Sequence, residues 1–210
     1  MRTLELIRTD PLVFLLLAIA IIEALALHEY AHALVADLQG DRLPRALGRV
    51  TLNPIKHLDP LGTILIFVAG FGWGKPVQFR PEALSSKRFG AAMVALAGPG
   101  MNLLLAFLAG LAFGPAVALD VDALTIFLRL FITLNVFLAV FNLVPLPPLD
   151  GSRLLTIFLP PSRQNIIFFL DRYGLFILIA LVVLQATTLL FPVAAAVCSA
   201  LTSHADACGF

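Results

Sequence analysis

The sequence predicts an all-α polytopic membrane protein with about four transmembrane helices and a re-entrant or β-hairpin-like segment between the first two. Of the 210 residues, 60% are hydrophobic and 13% are charged, and the mean hydropathy of +0.98 is far above that of a soluble domain. Four apolar stretches also reach the roughly 20 residues that cross the hydrocarbon core of a bilayer. We therefore expect one integral-membrane domain over residues 1–210, with no length left for a soluble module.

The four predicted spans follow one another along the chain. They cover about Leu12–Leu38, Ala91–Leu119, Leu124–Val144 and Gly174–Val197. Proline fits the first turn of a helix, so Pro11 suits the start of the first span. Between the first two spans, the apolar part of Leu61–Gly74 is too short to cross and ends in a cluster of glycines. A re-entrant or interfacial segment is expected there.

The placement of lysine and arginine predicts the orientation. Most basic residues lie in the connection between spans one and two or in the connection between spans three and four: Arg42, Arg45, Arg49, Lys56, Lys75, Arg80, Lys87, Arg88, Arg153, Arg163 and Arg172. Only Arg2, Arg8 and Arg129 lie elsewhere. Because basic connections stay in the cytoplasm, both termini are expected outside.

The first span contains the sequence His-Glu-Tyr-Ala-His at residues 28–32. Residues four apart on a helix differ by about 40° in direction, so His28 and His32 point the same way. Two imidazoles on one face, with the Glu29 carboxylate beside the first, form half of a zinc hydrolase site. Ionisable side chains in a membrane helix are costly and usually functional. The motif therefore predicts zinc-dependent hydrolysis inside the membrane.

A catalytic zinc ion usually has three protein ligands and one open position, so a third ligand is needed. His57, His204 and the acidic residues are candidates, and Asp150 is the strongest. The segment before it contains three prolines that cannot continue a helix, so the backbone must unwind. An unwound backbone is tolerated at membrane depth only inside protein or around a cavity. The topology brings this segment to the side of the membrane where His28 lies.

Three motifs, taken together, resemble those of the site-2 protease family, whose members are intramembrane zinc metalloproteases. They are His28–His32, Gly98–Asn102 and Asn142–Gly151, which keep the family's order within roughly residues 20–155. Further segments are similar to its compact prokaryotic members, without a PDZ or CBS domain: Asn53-Pro54, His57, Asp59-Pro60, Gly62-Thr63 and Gly72–Pro76. The resemblance implies a prokaryotic plasma-membrane protein, with the active site toward the cytoplasmic side.

Carried over position by position, the resemblance implies one Zn²⁺ per chain, held by His28, His32 and Asp150. It implies Glu29 as the general base, and Asn142 as a catalytic residue that binds substrate or the developing oxyanion. Zinc would lower the pKa of its water, and Glu29 would move the water's proton to the leaving amine. Two plainer interpretations stay open: Asp150 as a helix cap, and Asn142 as a hydrogen-bonding residue between helices.

The expected substrates are transmembrane proteins, and the other expected partner is the lipid bilayer. A substrate helix must unwind before attack, and Leu65–Phe79 is predicted as the edge strand that captures it. No basic stripe suggests nucleic-acid binding. One alternative is a catalytically inactive multi-pass binding protein that retains the fold, although a structural zinc site would not need Glu29. Another is a zinc hydrolase for soluble substrates with a lid.

Several residues receive structural interpretations. Asn102 and Gly98-Pro99 are expected to permit close packing and a kink near the site. Cys198 and Cys208 are expected to be free, with a disulfide as the alternative if that end is extracytoplasmic. Glu23 lies five residues before His28, well off the ligand face, and is expected to line a water path or make a polar contact.

Overall fold

The computed structural model describes residues 2–69, 72–158, 164–202 and 207–209. These residues form α-helices joined by turns and short 3₁₀ segments, and the described part of the chain contains no strand. The helices are α1 (Arg2–Thr9), α2 (Pro11–Leu38), α3 (Leu43–Ala46), α4 (Pro60–Ala69), α5 (Lys87–Ala118), α6 (Asp122–Asn142), α7 (Gly151–Phe158), α8 (Gln164–Val183) and α9 (Phe191–Thr202).

Among the described residues, three helices, α2, α5 and α6, are long and apolar enough to cross a membrane. They correspond to the first three predicted spans, and each packs against the other two. Asp10 caps α2 by accepting a hydrogen bond from the backbone N–H of Val13 at 3.1 Å, and Pro11 occupies the first turn. The predicted all-α polytopic membrane fold is confirmed.

The predicted fourth span, Gly174–Val197, is wrong as a single helix. Helix α8 ends at Val183, and Gln185 adopts a left-handed conformation with φ of 57°. The chain then turns into α9, and the two helical parts are bent by 86°. Pro192 has no N–H to bond to a preceding turn, so it starts a helix rather than continuing one. Hydropathy reports how apolar a segment is and not the direction in which it runs, so the sequence did not predict the break. If the bent pair forms one span, the described residues contain four spans.

The segment after the first span is helical over Pro60–Ala69 and not hairpin-like. Asp59 starts α4 by accepting a hydrogen bond from the backbone N–H of Gly62 at 2.8 Å, and this cap outweighs the β-branched residues that follow. The return of the chain makes a single antiparallel bridge between Leu58 and Gly74. The predicted edge strand over Leu65–Phe79 is therefore wrong within the described residues.

Two buried carboxylates fold the first basic connection over the end of α2. Asp37 accepts hydrogen bonds from Arg42 at 3.0 Å and from Arg45 at 2.7 Å and 3.0 Å. Asp41 accepts the backbone N–H of Arg80 at 2.6 Å and its guanidinium at 2.9 Å and 3.2 Å. These contacts hold Arg42, Arg45 and Arg80 against the end of the helix that carries the histidines.

The opposite half of the bundle is an apolar core. Helix α9 packs with α5 and α6 around Phe113 and Ile132, which are fully buried. Cys198 and Cys208 form a disulfide, with their Cα atoms 6.6 Å apart. The expectation of free cysteines was therefore wrong, because residues 207–209 lie against α6, where the backbone N–H of Gly209 donates to Thr133 Oγ1 at 2.9 Å.

Candidate metal centre

The structure brings His28, His32 and Asp150 together. The two Nε2 atoms are 3.0 Å apart, and Asp150 Oδ2 lies 3.1 Å from that of His28 and 3.2 Å from that of His32. The histidines are only 5% and 6% exposed. Three atoms that can bind a metal therefore meet at one point, although they come from α2 and from the segment that follows α6.

The hydrogen bonds of the two imidazoles fix which nitrogen carries the proton. His28 Nδ1 lies 2.6 Å from the side-chain oxygen of Asn102, and His32 Nδ1 lies 2.6 Å from the carbonyl oxygen of Val94. Both oxygens only accept hydrogen bonds, so each Nδ1–H donates. In the neutral imidazole, which is the form that binds a metal, each Nε2 then presents a lone pair toward the Asp150 carboxylate, and such partners set the orientation of metal-binding histidines.

These residues fit a zinc ion. Asp150 Oδ2 is buried without a hydrogen-bond partner, and the two Nε2 atoms beside it carry lone pairs when the imidazoles are neutral. Three electron-rich atoms in mutual contact repel one another unless a cation lies between them. Ligands about 2.0–2.1 Å from a tetrahedral zinc ion are roughly 3.3 Å from one another, close to the distances found here.

The carboxylate of Glu29 lies beside this group. Its Oε2 atom is buried without a hydrogen-bond partner, and the neighbouring chain covers it closely. A Cβ atom added to Gly74 would lie 3.4 Å from Glu29 Oε1 and 3.3 Å from the carbonyl oxygen of His57. The arrangement leaves one carboxylate oxygen free to accept a proton.

Gly98 of α5 lies directly against the two imidazoles. A Cβ atom added there would be 2.3 Å from His32 Nε2 and 2.6 Å from His28 Nε2. Real Cβ atoms do not approach so closely, so any other residue would displace the ligand atoms. The sequence-based interpretation of Gly98 as a packing residue is confirmed, and the surface on which it packs is the metal site itself.

Asn102 has a role that the sequence analysis missed. It is fully buried and accepts the hydrogen bond of His28, while its Nδ2 donates to Asn135 at 2.7 Å and to the carbonyl oxygen of Ala24 at 3.3 Å. Asn135 in turn donates to the carbonyl oxygen of Phe131 at 2.8 Å. Two amides inside apolar spans are the signal that points to such a network.

The unwound segment before Asp150 is present as predicted, since α6 ends at Asn142 and α7 begins at Gly151. Helix α8 supports it: Leu146 and Leu149 pack against Leu178 in a separate core. A Cβ atom added to Gly174 would lie 2.4 Å from the carbonyl oxygen of Pro147. The prolines and α8 together hold the acid at the depth of the histidines.

Other sequence candidates lie outside this group. Asn142 Nδ2 donates to the carbonyl oxygen of Leu138 in its own helix at 2.9 Å, so its role in the reaction stays a prediction. His57 is fully buried, and its Nε2 lies 2.7 Å from the carbonyl oxygen of Thr51, away from the three ligand atoms. Glu23 is exposed on α2. His204 lies outside the described residues.

Comparison with known proteins gives relatives over most of the chain. A sequence profile described as peptidase family M50 matches residues 110–184. The chain is 41% identical over 177 residues to YwhC of Bacillus subtilis, with 80% of each chain covered. It is 33% identical over 184 residues to Rip2 of Mycolicibacterium smegmatis, covering 83% of this chain and 69% of that one. It is also 33% identical over 181 residues to Rip2 of Mycobacterium tuberculosis H37Rv, covering 80% of this chain and 67% of that one.

All three relatives are provisionally named zinc metalloproteases. No solved structure gives a significant match.

Proposed function

The chain belongs to peptidase family M50, the site-2 proteases, and is a membrane zinc metalloendopeptidase; from this premise we propose that it cuts transmembrane protein substrates inside the bilayer. His28, His32 and Asp150 hold one zinc ion, and Glu29 is the general base. The observation that carries the proposal is that ligand atoms of His28, His32 and Asp150 meet at one point, while Glu29, on the same apolar helix as the histidines, has a buried carboxylate oxygen without a hydrogen bond.

Each residue has a defined part in the reaction. When bound, zinc polarises the scissile carbonyl and makes a water molecule acidic enough to attack near neutral pH. Glu29 Oε2 accepts the proton of the attacking water and passes it to the nitrogen of the leaving amine. Asn142, at the end of α6, binds the substrate backbone or the developing oxyanion.

The free oxygen of Glu29 favours an enzyme over an inactive binding protein. A zinc site that only supports the fold needs ligands and no base, and a buried carboxylate without a hydrogen bond is costly. Such a cost is tolerated where the group has chemistry to perform.

The depth of the site favours substrates that are themselves in the membrane. His28 is the eighteenth of the 28 residues of α2, so the ligands lie well within the span. A peptide bond must reach that depth to be cut, and a substrate helix must open its internal hydrogen bonds before its carbonyl is accessible.

The active site is proposed to face the cytoplasmic side of a bacterial plasma membrane. Two independent features support this orientation: the basic residues gather in the connections near the site, and the disulfide lies at the other end of the bundle. Disulfides persist in oxidising compartments and are rare in the cytosol. In this proposal, residues 1–210 belong to one protease domain.

Cysteine labelling tests the orientation without removal of native cysteines, since both are in the disulfide. A thiol reagent that cannot cross the membrane should label Asp122→Cys in intact cells and Ser85→Cys only after the membrane is opened; both positions are exposed. Labelling of Ser85→Cys in intact cells would contradict the orientation.

Cleavage of paired peptides tests the function. Purified zinc-loaded protein in liposomes receives either a synthetic single-span peptide or a variant of that peptide that lysine substitutions across the span make soluble. We expect cleavage of the first at bonds within the span, mapped by mass spectrometry, and at least about tenfold slower cleavage of the second. Equal cleavage of both would favour the hydrolase for soluble substrates, and no cleavage of either would favour the inactive protein.

A further inference from the structure

Arg49 differs from the other arginines of the first basic connection. It is only 5% exposed, whereas Arg42, Arg45 and Arg80 have mostly exposed side chains that pair with Asp37 or Asp41. Its guanidinium instead points inward, toward the metal centre, and Nη2 lies 3.8 Å from Glu29 Oε2.

The chain around Arg49 fixes the guanidinium in this place. Nη2 donates a hydrogen bond to the carbonyl oxygen of Lys75, and the backbone N–H of Lys75 donates to the carbonyl oxygen of His57 at 2.8 Å. The same stretch places Gly74 against the Glu29 carboxylate. The segment that covers the base therefore also holds the cation.

Packing alone does not explain a cation here. Arg49 Nε is buried without a hydrogen-bond partner, and a guanidinium removed from water is costly unless its charge is compensated. The nearest opposite charge in the described ion pairs of Arg49 is the Glu29 carboxylate. An apolar side chain of similar size would satisfy the packing without that cost.

The distance of 3.8 Å between Arg49 Nη2 and Glu29 Oε2 is compatible with Glu29 acting as a general base. It is too long for a hydrogen bond, so the lone pairs of Oε2 stay free to accept the proton of a water molecule. It is short enough for a strong attraction between the two charges at a buried site. A bidentate hydrogen bond would instead occupy the oxygens that the reaction needs.

We propose that Arg49 is a positioning residue that holds the Glu29 carboxylate toward the metal centre from the covering segment. The proposal rests on the proposed function, in which Glu29 is the base. It adds a link between the basic connection and the reaction: displacement of Arg49 together with Gly74 and Lys75 would move the base without touching the metal ligands.

Two substitutions separate the charge of Arg49 from its hydrogen bond to Lys75. Arg49→Gln keeps an N–H donor but removes the charge, and Arg49→Lys keeps the charge. Arg42→Met is the matched control, because it removes an arginine of the same connection and leaves Asp37 paired with Arg45. With zinc-loaded protein and a single-span peptide, we expect Arg49→Gln to lower kcat at least about tenfold at unchanged KM and zinc content. Arg49→Lys should recover most of the loss, and the control should stay within about twofold of wild type.

A second readout needs no substrate. The visible absorption bands of cobalt(II)-substituted protein report the surroundings of the metal, so a displaced Glu29 carboxylate changes them. We expect Arg49→Gln and Glu29→Gln to shift the bands in the same direction, and the double variant to match Glu29→Gln alone, because Arg49 acts through Glu29. Metal content and the thermal midpoint verify that each variant is folded. If Arg49→Gln does not fold, Arg49→Met, which also removes the charge but keeps an apolar side chain of similar length, takes its place in the same comparison.

Cobalt bands of Arg49→Gln that match wild type would overturn the assignment, as would a loss of kcat that Arg49→Lys shares in full. The proposed function can fail separately. A wild-type protein that cuts no single-span peptide, while the cobalt bands respond as expected, would contradict the function and support the contact between Arg49 and Glu29.

Discussion

The two halves of the helix bundle are stabilised in different ways. At the site, α2 and α5 bury polar side chains. His28 forms a hydrogen bond with Asn102, whereas Glu29 Oε2 has no hydrogen-bond partner. At the other end, α5, α6 and α9 enclose Phe113 and Ile132 in an apolar core next to a disulfide. We therefore expect the local order of the first half, but not that of the second, to depend on a bound cation.

Two glycines on the same helix give the largest expected contrast. Gly98→Ala places a methyl group against His28 and His32 Nε2, whereas Gly110→Ala places it 2.8 Å from Thr202 Cγ2 in α9. We expect Gly98→Ala to lose nearly all of its zinc, and Gly110→Ala to keep its zinc and lose about 1–3 kcal/mol of stability through overpacking. Elemental analysis and thermal unfolding of the two proteins check this. A full zinc content in Gly98→Ala would contradict the conclusion that a side chain at position 98 displaces the ligand atoms.

Sequence and structure agree best where one motif contains the information. The spacing of His28 and His32 on a helix is local, and the prolines before Asp150 require an unwound backbone wherever the segment lies. Gly98 and Arg49 act through contacts between distant elements, and no local pattern reports which surface a glycine or an arginine will meet. The break at Gln185 was missed for another reason: an apolar run has the same hydropathy in a straight span and in a bent one.

Asn102 gives a smaller contrast. Asn102→Leu keeps the branched shape of the side chain but removes the acceptor that orients His28, so we expect zinc affinity to fall about 10–100-fold. Asn102→Asp keeps an acceptor and should bind zinc more tightly than the leucine variant. Thr133→Val, which removes a hydrogen bond from Gly209 in the other half, should leave zinc affinity unchanged. Competition with a chelator measures all three; equal affinities for Asn102→Leu and wild type would show that His28 needs no such partner.

Acid should weaken the connection that covers the site. Burial raises the pKa of the Asp41 carboxyl, but hydrogen bonds from the backbone N–H groups of Arg80 and Leu43 and from the Arg80 guanidinium outweigh it and lower the pKa. The resulting stabilisation is complete above the ordinary aspartate pKa of about 4 and is lost as the pH falls further, through the folded-state pKa.

In Asp41→Asn, the acid limb of the unfolding profile should therefore flatten, while Asp122→Asn at the exposed start of α6 should leave it unchanged. Thermal midpoints measured between about pH 3 and pH 7 provide the comparison. If the acid limb is the same in Asp41→Asn and wild type, the Asp41 carboxylate does not stabilise the connection in this way.

The most direct test of the whole account compares two glutamates of α2. Glu29→Gln keeps size and polarity but cannot accept the proton of the attacking water, whereas Glu23→Gln makes the same change on the exposed face of the same helix. With matched zinc content, the rate of cleavage of a single-span peptide should fall at least about a hundredfold in Glu29→Gln and stay within about twofold of wild type in Glu23→Gln. A Glu29→Gln protein that retains zinc and cuts at the wild-type rate would contradict the assignment of Glu29 as the base.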